Sequence, residues 1–165
     1  MKLFDKEDFG YIHNLKLKKA EINNNKNNQE LTENIAFDGD NYWNISGNKY
    51  MFSVNAFNKS GVLPQRYRNR KSPFVIERGC YDVDEVTINL PEGYTIEAKP
   101  ENVTINNKFG EYKIEYMYEP AGKITYKRVL AINNGSYTSD EYENYRLFRE
   151  KVMRNDNAKI VLIKN

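Results

Sequence analysis

The chain has 165 residues, with 25 basic and 23 acidic side chains and a net charge of +2. That balance leaves no field of one sign to hold DNA or an anionic membrane wholesale. One cysteine excludes an intrachain disulfide, and no apolar run approaches the roughly 20 residues of a membrane span.

Residues 1–13 show no period and are expected to form a loose N-terminus. Acids stand there where a signal peptide would carry its apolar stretch. The length fits one domain over 1–165, expected to be a fragment of a larger protein, with a sub-boundary near 58–64. Leu15 and Leu17 alternate with lysines, and Ala20 and Ile22 continue on the opposite parity. That slip predicts a strand with a bulge near Lys18 and Lys19. Residues 23–28 form a polar loop, and 31–37 a second strand. Asp38-Gly39-Asp40-Asn41 is a turn. Trp43 and Ile45 begin a strand that Ser46-Gly47-Asn48 breaks, and Tyr50, Phe52, Val54 and Ala56 alternate after it.

Residues 62–72 are less regular, with Pro64 and Pro73 holding their predecessors extended. A short strand is predicted at 74–77, broken at Gly79-Cys80. Val86, Ile88 and Leu90, then Tyr94, Ile96 and Ala98, flank Pro91-Glu92-Gly93. This predicts a hairpin over 85–99. Val103 and Ile105 make a short strand.

The strongest signal is 111–135. Tyr112, Ile114, Tyr116 and Tyr118 share one face, and Lys113 and Glu115 the other. Glu119-Pro120-Ala121-Gly122 turns the chain, and Ile124 and Tyr126 resume the inner face. After Gly135 the period changes to 3.6. Thr138-Ser139-Asp140-Glu141 fits a capping box, and Tyr142, Tyr145, Phe148 and Val152 share a helical stripe. Asn155-Asp156-Asn157 ends the helix. The apolar run at 159–164 predicts a terminal strand buried on both faces. The expected fold is mainly β: an antiparallel β-sandwich, immunoglobulin-like or similar, with one C-terminal helix and a terminal strand.

Candidate chemistry is sparse. Cys80 and His13 could suggest a thiol and its base, but Cys80 follows a strand break and His13 lies in the loosest part of the chain. One His and one Cys cannot complete a zinc site. Asp38-Gly39-Asp40-Asn41 lacks the glycine and glutamate placement of a calcium loop. Arg66, Arg68 and Arg70 alternate around Tyr67, which places them on one face of an extended strand, where Glu77, Asp82, Asp84 and Glu85 could answer them. Binding of nucleic acid through this group is the weaker reading. The aromatics Tyr42, Trp43, Tyr67 and Tyr137 stand in turn-like contexts, where rings can bind sugars or peptides. The candidate ligand-binding residues are therefore Tyr42, Trp43, Tyr67, Arg66, Arg68 and Arg70. No catalytic residue, metal or cofactor is expected.

Several short stretches carry a resemblance. Arg70-Lys71-Ser72-Pro73-Phe74, Ile88-Asn89-Leu90-Pro91-Glu92-Gly93-Tyr94, Phe109-Gly110-Glu111-Tyr112, and Tyr145-Arg146-Leu147-Phe148 followed by Lys159-Ile160-Val161-Leu162 are its carriers. Over about 45–165 the chain resembles the C-terminal β-rich domain of unknown function that follows a transglutaminase-like core in multidomain proteins, chiefly of Bacteroidetes. The resemblance implies a non-catalytic accessory domain whose partner is the neighbouring transglutaminase-like domain of the parent protein. It implies a periplasmic or cell-surface parent. The catalytic Cys, His and Asp of such proteins lie in the core domain and match no position here. The alternative is a surface module that binds glycan or peptide.

Overall fold

A computed structural model describes residues 16–38, 42–59, 61–120 and 122–165. His13, Leu15, the expected loose terminus and Gly39-Asp40-Asn41 lie outside the described residues. The chain divides into two compact units, Met1–Asn44 and Ile45–Asn165, so 58–64 falls inside the second.

In the first unit, β1 (Lys16–Asn25) pairs antiparallel with β2 (Glu30–Asp38). The register slips between Leu17 and Lys19, the bulge that the parity change predicts. Three asparagines expected in the loop extend β1 instead. The turn is held by Asn25 Oδ1, which accepts from the amides of Asn27 and Asn28 at 3.2 and 3.3 Å. Partners across the ladder share a face. Leu17, Ala20, Ile22, Leu31, Ile35 and Phe37 therefore all lie on one side. Neither strand contains a buried residue.

The remaining strands are β3 (Asn44–Ser46), β4 (Lys49–Ser53), β5 (Phe74–Ile76), β6 (Cys80–Asn89), β7 (Tyr94–Ala98), β8 (Val103–Asn107), β9 (Gly110–Glu119), β10 (Lys123–Ile132), β11 (Gly135–Tyr137) and β12 (Lys159–Lys164). A 3-10 turn, Ser139–Glu141, leads into helix α1 (Tyr142–Asp156). One four-stranded sheet has the order β6-β10-β9-β8, and the other β3-β4-β12-β7; β11 and β5 make a two-stranded ribbon. The sheets are antiparallel and open, not closed into a barrel.

The core draws Tyr112, Ile114, Tyr116, Ile124, Tyr126, Leu130 and Ile132 from the first sheet. It draws Phe52, Ile160 and Leu162 from the second, and Phe148 and Val152 from the helix. β9 and β10 form the predicted hairpin, and its register, with Tyr112 opposite Leu130 and Tyr116 opposite Tyr126, puts the expected residues on one face. At Gly110, φ is 151° and an added Cβ would collide with the Ala131 carbonyl, so only glycine lets β9 start this close to β10.

Three expectations need correction. Residues 85–99 are not a hairpin, because β6 pairs with β10 along ten residues while β7 pairs with β12 in the other sheet. The Pro91-Glu92-Gly93 corner carries the chain between sheets, with Gly93 at φ 81° and its carbonyl accepting from the Asn165 amide at 2.8 Å. The long ladder with β10 outweighs what five residues of β7 could offer. Residues 54–56 do not continue β4: Ser53, Val54, Asn55 and Ala56 are all buried, and Asn55 closes a turn by bonding the Asn58 carbonyl at 2.8 Å. In β12 only Ile160 and Leu162 are fully buried, with Val161 and Ile163 half-buried. That strand is central in its sheet, but one face is covered better than the other.

Candidate surface cleft

Arg66, Arg68 and Arg70 do not lie on a strand face. Residues 61–73 are irregular, with a turn at 68–69, so the period-2 argument fails there. Two prolines and the absence of a partner ladder explain why. Nor do the acids of β6 answer these arginines. Arg70 instead donates to the carbonyls of Ser72 and Pro73 at 2.9 and 3.2 Å. Its guanidinium lies 4.5 Å from the Tyr142 ring centre and 5.5 Å from that of Tyr67. Arg66 reaches Glu143 at 3.8 Å. Tyr67 donates to Gln65 Oε1 at 3.1 Å, and Tyr142 to the Gln65 carbonyl at 2.7 Å. The loop is thus strapped to the start of α1 by a tilted Tyr67–Tyr142 ring contact at 5.8 Å, the Arg70–Tyr142 cation–π contact and the Tyr142 hydrogen bond.

This strap borders a cleft of about 310 Å3 lined by residues 67–70 and by Ser139, Asp140, Tyr142 and Glu143. Arg66 and Arg68 are exposed, Arg70 is half-buried, and Tyr67 as a residue is 46% exposed. Arg146 grips Glu143 at 3.0 Å and Glu150 at 3.1 Å. Its bonds, first among the causes, hold the Glu143 carboxyl below the usual carboxylate range. Thr138 donates its amide to Glu141 Oε2 at 2.9 Å, the reach-back bond of the predicted capping box. Lys108 also pairs with Glu141.

The other candidates fall elsewhere. Tyr42 and Trp43 are half-buried and belong to the first unit, apart from Tyr67 in the second. Tyr137 is half-buried in β11, stacked 5.2 Å from Phe74 and tilted against Phe109 at 4.9 Å. Its turn-like sequence context hides a packing role.

The sequence reading missed the most strongly charged interior feature. Arg128 is 1% exposed. Its Nε donates to Asp156 Oδ1 at 2.8 Å, and a terminal nitrogen to Asp84 Oδ2 at 2.7 Å. Tyr112 donates to the same Asp156 oxygen at 2.8 Å. Asn58 donates to Asp84 at 3.2 Å. Burial works against the guanidinium's charge, but the Asp156 and Asp84 bonds outweigh it and push its pKa up. The signal was available. Arg128 shares the inward parity of Tyr126 and Leu130, and Asp156 continues the stripe four residues after Val152.

Cys80 is exposed, and burial of its sulfur together with the Asp82 carboxylate pushes its pKa up. That is the reverse of what activates a thiol nucleophile. Among the described residues no three His, Cys, Asp or Glu side chains group to hold a metal, and no helix is long and apolar enough to cross a membrane.

No curated protein matches the chain. Among solved structures, a protein of Parabacteroides distasonis ATCC 8503, provisionally described as a protease, is similar with a TM-score of 0.49 and 17% identity. The likeness covers 59% of this chain and 19% of that one, so most of that protein lies outside the match. Residues 48–162, which hold both four-stranded sheets except β3 and the last residues of β12, match one family model; the chain therefore belongs to DUF3858, a domain of unknown function with solved structure.

Proposed function

We propose that residues 45–165 form a non-catalytic accessory domain that packs beside an enzyme core, transglutaminase-like in the reading the sequence supports, within a larger exported bacterial protein. One observation carries the proposal. Several of the groups that could do chemistry in this unit are committed to one another. Arg128 is spent on Asp84 and Asp156, Tyr112 on Asp156, and Glu143 on Arg146. The Cys80 thiol, although exposed, is pushed up in pKa by partial desolvation and by Asp82. A buried ion pair of this kind fixes the relation of a helix to a sheet and ties up its own charged groups.

The test is an assay of the purified chain for peptide hydrolysis and for glutamine–amine cross-linking. Turnover at background level in both assays is the expected result. Activity abolished by Cys80→Ser would overturn the proposal. The coding sequence upstream of Met1 offers a second check, since the reading expects a core there with its own Cys, His and Asp.

A further inference from the structure

We propose that the cleft beside the 65–70 loop is a binding site for neutral, hydroxyl-rich ligands of the oligosaccharide class. Tyr67 is its ring platform, and Arg68, Asn69 and Asp140 are its hydrogen-bonding groups. The site is independent of the accessory-domain reading.

Three observations carry it. The volume, about 310 Å3, stands at the lower end of small-ligand pockets. It suits a small ring system and not a folded segment. The platform is also fixed before any ligand arrives. Arg70 lies over the Tyr67 ring at 5.5 Å and is itself held by two backbone carbonyls, and Tyr142 flanks the ring at 5.8 Å, while Tyr67 as a residue stays 46% exposed. A ring already ordered costs little further entropy on binding. An amphipathic ring of this sort suits the mixed C–H and hydroxyl surface of a sugar.

The third observation is charge. Arg68 and Arg70 are matched along the cleft by Asp140 and Glu143. A phosphate-rich ligand needs an excess of cations, and the lining has none. Hydroxyl groups suit both signs: they accept from a guanidinium or an amide and donate to a carboxylate. Arg70 and Glu143 are engaged in the strap, which leaves Arg68, Asn69 and Asp140 to face a ligand.

The experiment is an amide NMR titration of the full chain with cellohexaose, chitohexaose and xylohexaose, and with heparin as the anionic control. The expected result is saturable shifts confined to 67–70 and 139–143 with at least one neutral sugar. Tyr67→Ala and Asp140→Asn should each weaken binding at least about tenfold. Tyr67→Phe should keep it, because the ring and not its hydroxyl is the platform. Trp43→Ala should leave the affinity unchanged. Unperturbed helix amides in each variant show that the fold survives. The proposal fails if none of the three sugars shifts these amides, if the shifts map elsewhere, or if heparin alone binds and is released by high salt.

Discussion

The two long hairpins of this chain are near equals in length and alternation, and opposites in burial. β1 and β2 bury no residue, although one face collects Leu17, Ile22, Leu31, Ile35 and Phe37. β9 and β10 bury nine of their twenty residues, an arginine among them. The difference lies in what surrounds each. β10 is flanked by β6 and β9, and α1 sends Asp156 to meet it. Among the described strands β1 and β2 pair only with each other, and a two-stranded hairpin by itself is marginally stable in water. Amphipathic patterning thus marks which face can be buried, and tertiary contacts determine whether it is.

The sharpest way to break the comparison is at Arg128. Arg128→Met leaves Asp156 buried without its counter-charge, and about 3–5 kcal/mol should be lost. Urea unfolding followed by the near-UV signal of the tyrosines reads this directly. A loss below about 1 kcal/mol would put the network in the class of a surface pair.

Next comes a matched pair of truncations. Ile124→Ala, in a fully buried position of β10, should cost about 2–5 kcal/mol. Leu31→Ala, at a position 60% exposed in β2, should stay within about 0.5 kcal/mol. Equal effects on the urea midpoint would mean that the face of β1 and β2 is covered in solution.

Alkali separates the hairpins by a third route. Burial pushes Tyr118 up to about 12 from an ordinary value of 10.0, and it pushes Tyr112, Tyr116 and Tyr126 up as well. The sign follows from linkage. Above pH 10 the unfolded chain releases protons that the folded phenols keep, so stability is full below pH 10 and falls as pH rises toward 12 and beyond. Absorbance at alkaline pH should show these four phenols ionising only as the chain unfolds. Their ionisation near pH 10 while the protein is still folded would contradict the burial of β9 and β10.

The smallest effects belong to the surface. Glu141→Ala removes the reach-back bond to Thr138 and the Lys108 pair, for a loss of about 1 kcal/mol in urea. Lys18→Ala, which removes an exposed pair with Asp38 in the first hairpin, should cost less than about 0.5 kcal/mol. A larger loss at Lys18 than at Glu141 would reverse the ranking of the two regions.

Much of the architecture was legible from local pattern. The bulge near Lys18, the hairpin across Gly122, the reach-back from Glu141 and the terminal strand each follow from a few adjacent residues. The cleft was legible only in part. Tyr67 and the arginines stood out by composition, but nothing near them in sequence pointed to Asp140 and Tyr142, some seventy positions on, as the other half of its lining. The separation of β6 from β7 was likewise hidden. A Pro-Gly turn between alternating runs reads the same whether the chain folds back on its own sheet or crosses to another.

By itself the sequence determined which segments alternate, where they turn, and which face of each is apolar, because these depend on side-chain parity and on the φ preferences of Gly and Pro. The tertiary structure alone decided that β6 pairs with β10 and β7 with β12, that Arg128 and Asp156 meet in the interior, and that the 65–70 loop closes on the helix. Those outcomes join positions far apart in the chain, and their free energy comes from contacts that exist only after both partners are in place.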